Sequence, residues 1–276
     1  MTLRELRDIC QKGGGEPFVI SKYLYRPFTL HVTRLYIAAG ACSNTATLHS
    51  LLAGLAAAGC GLGNHPVFLL LTALFIQAYF ILDHVDGELA RYNIHQKRQK
   101  PSLAGEFFDL WTHLHTYNLA FATIGYTLAL QTGNPVMFVL GLVAGNISGS
   151  YQRLTLSSVL MGALARDRIR LDDPAYRGLL GVTHGRIDPV GQPPTRAQRL
   201  RRLGSELAIF PGNIMGMTVA CLGDYLLYLT GGHWILCRAI YLVAFCALGL
   251  TSKAYRTRAT IRQLQMAGEA DSNVKF

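Results

Sequence analysis

The feature that most constrains this chain is an alternation of long apolar runs, almost free of charge, with short basic stretches. The clearest run is the 17 residues from Pro66 to Leu82, which carry no charge and lead into Asp83-His84-Val85-Asp86-Gly87-Glu88-Leu89-Ala90-Arg91. A bilayer core asks for about 20 apolar residues at a helical rise of about 1.5 Å each, and runs of this kind recur along the sequence. Only 15% of the 276 residues are charged, against about a quarter in an ordinary soluble domain. The pattern predicts an all-α integral membrane protein, with six transmembrane helices preceded by an interfacial amphipathic helix.

Residues 1–25 read as a cytosolic lead-in without a cleavable signal peptide, and the mixed basic and apolar stretch from Arg26 to Ala39 as the interfacial helix. A six-helix domain then covers 26–265, followed by a cytosolic tail over 266–276. The first crossing starts near Asn44; the others run Pro66 to Arg91, Leu103 to Leu130, Pro135 to just before Arg166, Leu207 to Leu229, and His233 to Ser252. The turns at 61–65, 131–134 and 230–232 contain glycine and no Lys or Arg. The opposite connections are basic: 91–100, the 166–204 loop with nine arginines, and 253–262. The positive-inside rule therefore places both termini and both long loops in the cytosol. The compact chain, without a targeting extension, suits a prokaryotic plasma (inner) membrane. The 166–204 loop reads either as a solvated connector or as part of a substrate site.

The net charge of +10 does not indicate nucleic acid, because the bases lie between apolar runs rather than on one soluble face. Cys10, Cys42, Cys60, Cys221, Cys237 and Cys246 form no CxxC pair and no zinc spacing, and read as small hydrophobes. Gly141, Gly145 and Gly149 fall four apart and predict a close helix contact. Arg153 reads as a snorkelling or anion-facing residue, and Asp224 and Arg238 as packing or interface groups near the outer side.

The chemistry is concentrated at the cytosolic ends of the second and third spans. At about 100° per residue, Asp83, Asp86, Gly87, Ala90 and Arg91 share one helix face. Two carboxylates, a glycine and an arginine suit a metal-bound diphosphate: the acids hold the cation, glycine admits the nucleotide to the backbone, and arginine forks onto phosphate. The third span opens with Gly105, Asp109 and His113, stacked four apart. If the two spans are antiparallel neighbours, Asp83, Asp86, Asp109 and His113 converge. Each acid inside a span costs about 2.5–3.5 kcal/mol on insertion scales, a cost that metal binding offsets. Carboxylate ligation favours Mg²⁺ or Mn²⁺. The alternative for any single aspartate is an acid snorkelling at a helix end. Trp111, Phe107 and Phe108 read as lipid-facing or packing residues, and His115 as structural.

The string D-x2-D-G-x2-A-R…G-x3-D, here Asp83, Asp86, Gly87, Ala90, Arg91, Gly105 and Asp109, resembles the signature of the CDP-alcohol phosphotransferases. Ser43-Asn44-Thr45-Ala46-Thr47 resembles that family's P-N-x-x-T opening of the first span, with Ser43 in place of proline. The resemblance implies that Asp83, Asp86 and Asp109 ligate a pair of Mg²⁺ or Mn²⁺ ions gripping a CDP diphosphate. Gly87, Ala90, Arg91 and Gly105 would line the nucleotide, with Asn44 and Thr47 nearby. It further implies transfer of a substituted phosphate from a CDP-linked donor, such as CDP-diacylglycerol, to an alcohol with release of CMP. The family is dimeric, so a homodimer contact is expected on the glycine stripe of the fourth span.

Two positions depart from the family. Thirteen residues separate Arg91 from Gly105, a longer loop than the family's. The last signature aspartate, the family's proposed general base, is His113. That histidine reads three ways: as the catalytic base, as a nitrogen ligand to the metal, or as the mark of a fold kept for donor and metal binding without catalysis. A divalent-cation transporter is the remaining alternative, since intramembrane carboxylates also mark ion paths.

Overall fold

The computed structural model describes residues 2–11, 19–99, 103–148, 158 and 212–272, and among them helices are the only regular structure. The expected spans after residue 148 and before 212, Arg153, Gly149 and the 166–204 loop lie outside the described residues. Helix α1 (Leu3–Cys10) is followed by a π-helical turn at Ser21–Tyr25 and by α2 (Arg26–Ala38). Then come α3 (Ser43–Gly61), α4 (Val67–His95), α5 (Leu103–Thr132), α6 (Val136–Ser148), α7 (Gly212–Leu229) and α8 (Leu236–Ser272). The expected glycine turns close α5 and lead out of α7: Gly133 and Gly231 have φ of +66° and +74°, where a side chain would be strained.

Packing closes α3 to α8 into a ring, in the order α4, α3, α5, α6, α8, α7 and back to α4. Its interior is filled by side chains from opposite walls, including Ile76 and Phe80 of α4, Phe121 and Ile124 of α5, Met217 of α7 and Phe245 of α8. The outside is apolar as well. Leu52 on α3, Leu74 on α4, Leu130 on α5, Val139 on α6, Val219 on α7 and Ile240 on α8 are all more than half exposed. Soluble monomers rarely expose apolar surface continuously around a bundle. Two helices, Val67–His95 and Leu236–Arg262, are long and apolar enough to cross a membrane.

The second and third spans meet through their side chains rather than as adjacent helices of the ring. Helix α3 lies between α4 and α5 and packs against both. It can do so because its buried positions are small: Ala46, Thr47, Ser50, Gly54, Ala57, Ala58 and Gly61. A Cβ on Gly54 would stand 2.4 Å from Thr116 Cγ2, and one on Gly61 2.6 Å from Thr123 Oγ1. Thr127 donates to the Gly61 carbonyl at 2.6 Å, which locks the same contact. With α3 this thin, long side chains of α4 and α5 meet beside it in the interior.

Three further expectations are extended or changed. The lead-in contains α1, which starts with a reciprocal capping box: the Thr2 hydroxyl accepts from the Glu5 N–H at 3.3 Å, and the Glu5 carboxylate accepts from the Thr2 N–H at 2.8 Å. Leu6 and Cys10 of α1 are buried with Leu30 and Tyr92, so this helix is docked. The helix that carries the last expected span continues beyond Ser252: α8 runs to Ser272 through a stretch rich in good helix formers and free of proline. The glycine stripe makes its close contact inside the chain. A Cβ on Gly141 would lie 2.6 Å from the Phe121 carbonyl and 2.9 Å from Gly125 Cα, and one on Gly145 2.9 Å from Asn118 Cα. These two glycines therefore face α5 and are not available for a homodimer contact.

Asp224 and Arg238 are the packing groups expected of them. Both are buried and paired at 2.6 Å, and Arg238 also donates to Gln131 at 3.0 Å and to the Trp234 carbonyl at 3.1 Å. Asp224 accepts the Cys237 N–H at 2.7 Å, which caps the start of α8.

Gly141→Ala should destabilise the protein by about 1–3 kcal/mol, because the added methyl meets backbone that cannot rotate away. Gly59→Ala, in the same kind of helix with nothing within 4 Å, should be neutral or slightly stabilising. Thermal unfolding of the two variants in detergent checks the contrast.

Candidate metal centre

Helical spacing brings three ligating groups into the gap between α4 and α5. Tyr79, Asp83, Asp86 and Gly87 follow one face of α4, and Asp109, His113 and Tyr117 one face of α5. His113 Nε2 stands 3.0 Å from Asp83 Oδ1 and 3.3 Å from Asp109 Oδ1. One ligand atom from each of Asp83, Asp109 and His113 can be chosen so that all lie within 4.8 Å of one another, a group that could hold a metal ion. Asp83 and His113 are mostly buried, whereas the Asp109 side chain is 44% exposed. The group is therefore closed towards α4, and Asp109 is its most exposed member.

His113 is held by two tyrosines. Its Nδ1 is 2.6 Å from the Tyr79 hydroxyl. Its ring stacks on Tyr117, with centroids 5.9 Å apart and planes 5° from parallel. The Tyr79 ring meets Tyr117 edge-on at 5.8 Å. With Nδ1 engaged in this way, Nε2 is the nitrogen directed between the two carboxylates. A metal bound to Nε2 leaves Nδ1–H to donate to the Tyr79 oxygen, the outer hydrogen bond that metal-bound histidines ordinarily make.

The other residues singled out from sequence are placed around this centre. Asp86 is buried one turn beyond Asp83, and its Oδ2 accepts the Thr47 hydroxyl at 2.9 Å. It lies within electrostatic reach of Asp83, Asp109 and His113, outside the three-ligand group. Gly87 is the floor beneath Arg91: a Cβ there would stand 3.4 Å from Arg91 Nη1. Arg91 Nε donates to the Cys10 carbonyl at the C-terminal end of α1. Ala90 and Gly105 are half-buried, and Asn44 is exposed on the first turn of α3. His115 donates to the Trp111 carbonyl at 2.8 Å or sits against it, as a structural histidine does. Phe107 and Trp111 are exposed on the outer face of α5.

Sequence reasoning missed Glu88, which is fully buried beside the site. Its Oε1 accepts from Gln11 (3.1 Å), Arg26 (3.1 Å) and Thr29 (2.9 Å), and its Oε2 from Thr33 (2.6 Å). A buried carboxylate is tolerated when its lone pairs are filled in this way. Here the bonds fasten α2 and the end of α1 to α4. His84, also buried, is engaged structurally, with Nδ1 3.1 Å from the Phe80 carbonyl and Nε2 3.3 Å from Ser21 Oγ. Tyr79 and Tyr117 were missed too, although Tyr79 lies one turn before Asp83 and Tyr117 one turn after His113.

No protein-family model and no curated protein matches the sequence.

Burial, then the charge of Glu88, pushes the Cys10 thiol up to about 12, with Arg91 acting in the opposite direction. Cys42 is exposed, and a hydrogen bond from Thr45 lowers its thiol below the ordinary value. Maleimide at neutral pH should therefore label Cys42 and spare Cys10. Glu88→Ala removes the acceptor of four donors and the carboxylate opposite Arg26, and should cost about 3–5 kcal/mol. It should also open Cys10 to the reagent, which mass spectrometry of labelled wild type and variant would detect.

Proposed function

We propose that this chain is a divalent-metal-dependent membrane phosphotransferase of the CDP-alcohol type. It would transfer a substituted phosphate from a CDP-linked donor, CDP-diacylglycerol among the candidates, to an alcohol and release CMP. The observation that carries the proposal is the convergence of Asp83, Asp109 and His113, with Gly87 and Arg91 one to two turns further along α4. A bare metal site needs only the first three residues. The arginine over a glycine floor adds a place for phosphate and for close approach to backbone.

The donor set suits a divalent cation: two carboxylates on opposed helices and an imidazole aimed between them. Asp83, Asp109 and His113 would hold it, with Asp86, tethered by Thr47, beside them for a second ion. Bound there, Mg²⁺ or Mn²⁺ supplies charge neutralisation at the diphosphate. Arg91 binds a phosphate oxygen as a fork. The acceptor oxygen forms a bond to the β-phosphorus, the bond from that phosphorus to the CMP oxygen breaks, and the hydroxyl proton leaves to a site carboxylate. Of the readings of His113, ligation suits its surroundings best, since Nε2 faces both aspartates and Nδ1 faces Tyr79.

The setting is an integral membrane domain of six spans in the plasma membrane, with the basic connections and both termini in the cytosol. The closed ring of six helices and its apolar outer face support that reading. The carboxylates of the metal centre sit at one end of two helices, and the buried Asp224 of α7 is closed by Arg238, which favours a phosphotransferase over an ion path. A homodimer, if formed, would use a surface other than Gly141 and Gly145.

CMP release by the detergent-solubilised protein, measured with Mg²⁺ or Mn²⁺ over a panel of CDP-linked donors and alcohols, tests the proposal. Asp83→Asn and Asp109→Asn should each lower turnover on the order of 100-fold or more, since catalysis of this kind rests on positioning and charge. His113→Asp should remain active, because a carboxylate still supplies a ligand. Binding of a CDP donor without CMP from any pair would replace the enzyme with a donor-binding protein. Absence of both would overturn the proposal.

A further inference from the structure

An all-carboxylate site and this one differ in a way that the geometry makes specific. Carboxylates alone serve both Mg²⁺ and Mn²⁺, whereas an imidazole nitrogen adds affinity for first-row transition ions, Mn²⁺ the least among them, and adds little for Mg²⁺. A histidine contributes that preference only if its lone pair is aimed at the metal, and a free imidazole on a helix samples several rotamers. His113 is not free: Tyr79 holds Nδ1 at 2.6 Å, and Tyr117 lies parallel and offset beside the ring, with centroids 5.9 Å apart. Tyr79 is itself fully buried and Tyr117 nearly so, which leaves little room for the imidazole to turn. Nothing about binding Mg²⁺ through carboxylates requires such a scaffold.

We propose that Tyr79 is a positioning residue for His113, with Tyr117 as the stacking wall, and that together they make the centre selective for a transition ion such as Mn²⁺ over Mg²⁺. This inference rests on the metal-centre reading and not on the identity of the donor or acceptor. Tyr79 acts through His113 and touches no metal. Its removal should therefore weaken binding of the ion that depends on nitrogen and leave binding of the ion that depends on carboxylates.

The test is direct binding. Free Mn²⁺ is counted by electron paramagnetic resonance over the detergent-solubilised full chain, alone and with increasing Mg²⁺ as competitor. Wild type should bind Mn²⁺ and yield it only to a large excess of Mg²⁺. Tyr79→Phe, which removes one oxygen, should weaken Mn²⁺ by about 10–100-fold, the usual loss when a histidine's outer hydrogen bond is deleted. The Mg²⁺ affinity of that variant should be unchanged, whereas a general loosening would weaken both ions together. Tyr117→Leu should weaken Mn²⁺ in the same selective way, and Tyr117→Phe, which keeps the ring, should not. His113→Asp should retain metal and lose the preference. Equal Mn²⁺ affinity in wild type and Tyr79→Phe, or a parallel loss of both ions, would overturn the positioning role. A wild type without preference for Mn²⁺ would overturn the selectivity. No binding of either ion to wild type would overturn the metal centre itself, a result that CMP release assays report separately.

Discussion

The thinness of α3 is the constraint on which the rest of this architecture depends. Two helices that carry acids can face one another only if whatever stands between them is narrow. The buried line of α3 is made of Ala, Ser, Thr and Gly, with Gly54 and Gly61 admitting threonines of α5 into what would be Cβ positions. A single Leu on that line would hold α5 away from α4. It would separate Asp109 and His113 from Asp83 by more than a hydrogen bond can span. The site is therefore a consequence of packing at Gly54 as much as of the acids themselves. In a membrane setting, where apolar burial gives helices little reason to associate, small residues of this kind supply close van der Waals contact.

Around that gap the chain places charge only where it is answered. Glu88 is filled by four donors, Asp224 by Arg238 and two backbone N–H groups, and Asp86 by Thr47. Asp83 and Asp109 differ in having a shared histidine between them and an open side. Glu88 and Asp224 are closed off, whereas in this pair Asp83 is mostly buried and Asp109 is left exposed. Arg91 is drawn into the arrangement from another direction, by the carbonyl of Cys10 at the end of α1. A helix at the very start of the chain thus helps to orient the arginine proposed to meet phosphate.

Much of this was legible in the sequence, for identifiable reasons. Asp109 and His113 at i and i+4, and Asp83 with Asp86 and Gly87, declare shared faces through helical geometry alone. The uncharged run before Asp83 fixes that helix and its polarity. The convergence of Asp83, Asp109 and His113 holds, but it is reached by side chains meeting beside α3, which packs against both helices and which the sequence pattern does not place. The glycine stripe of α6 did predict a close contact, but periodicity cannot say which helix answers it. Glu88 was passed over because its partners, Gln11, Arg26, Thr29 and Thr33, lie between 55 and 77 residues away. Tyr79 and Tyr117 carried a weak signal, being one turn from Asp83 and His113, yet a tyrosine in an apolar run ordinarily reads as core. The capping box at Thr2 and Glu5 could have revealed α1.

The central claim is that the imidazole of His113 and the carboxylates on α4 and α5 bind one metal ion. Electron spin-echo modulation of the Mn²⁺-loaded, detergent-solubilised protein addresses it most directly, because a ligating nitrogen couples to the ion far more strongly than one outside the coordination shell. The account predicts modulation from a single imidazole nitrogen in wild type, absent from His113→Asp although that variant still holds Mn²⁺. Bound Mn²⁺ without nitrogen modulation in wild type, or modulation that survives in His113→Asp, would contradict it.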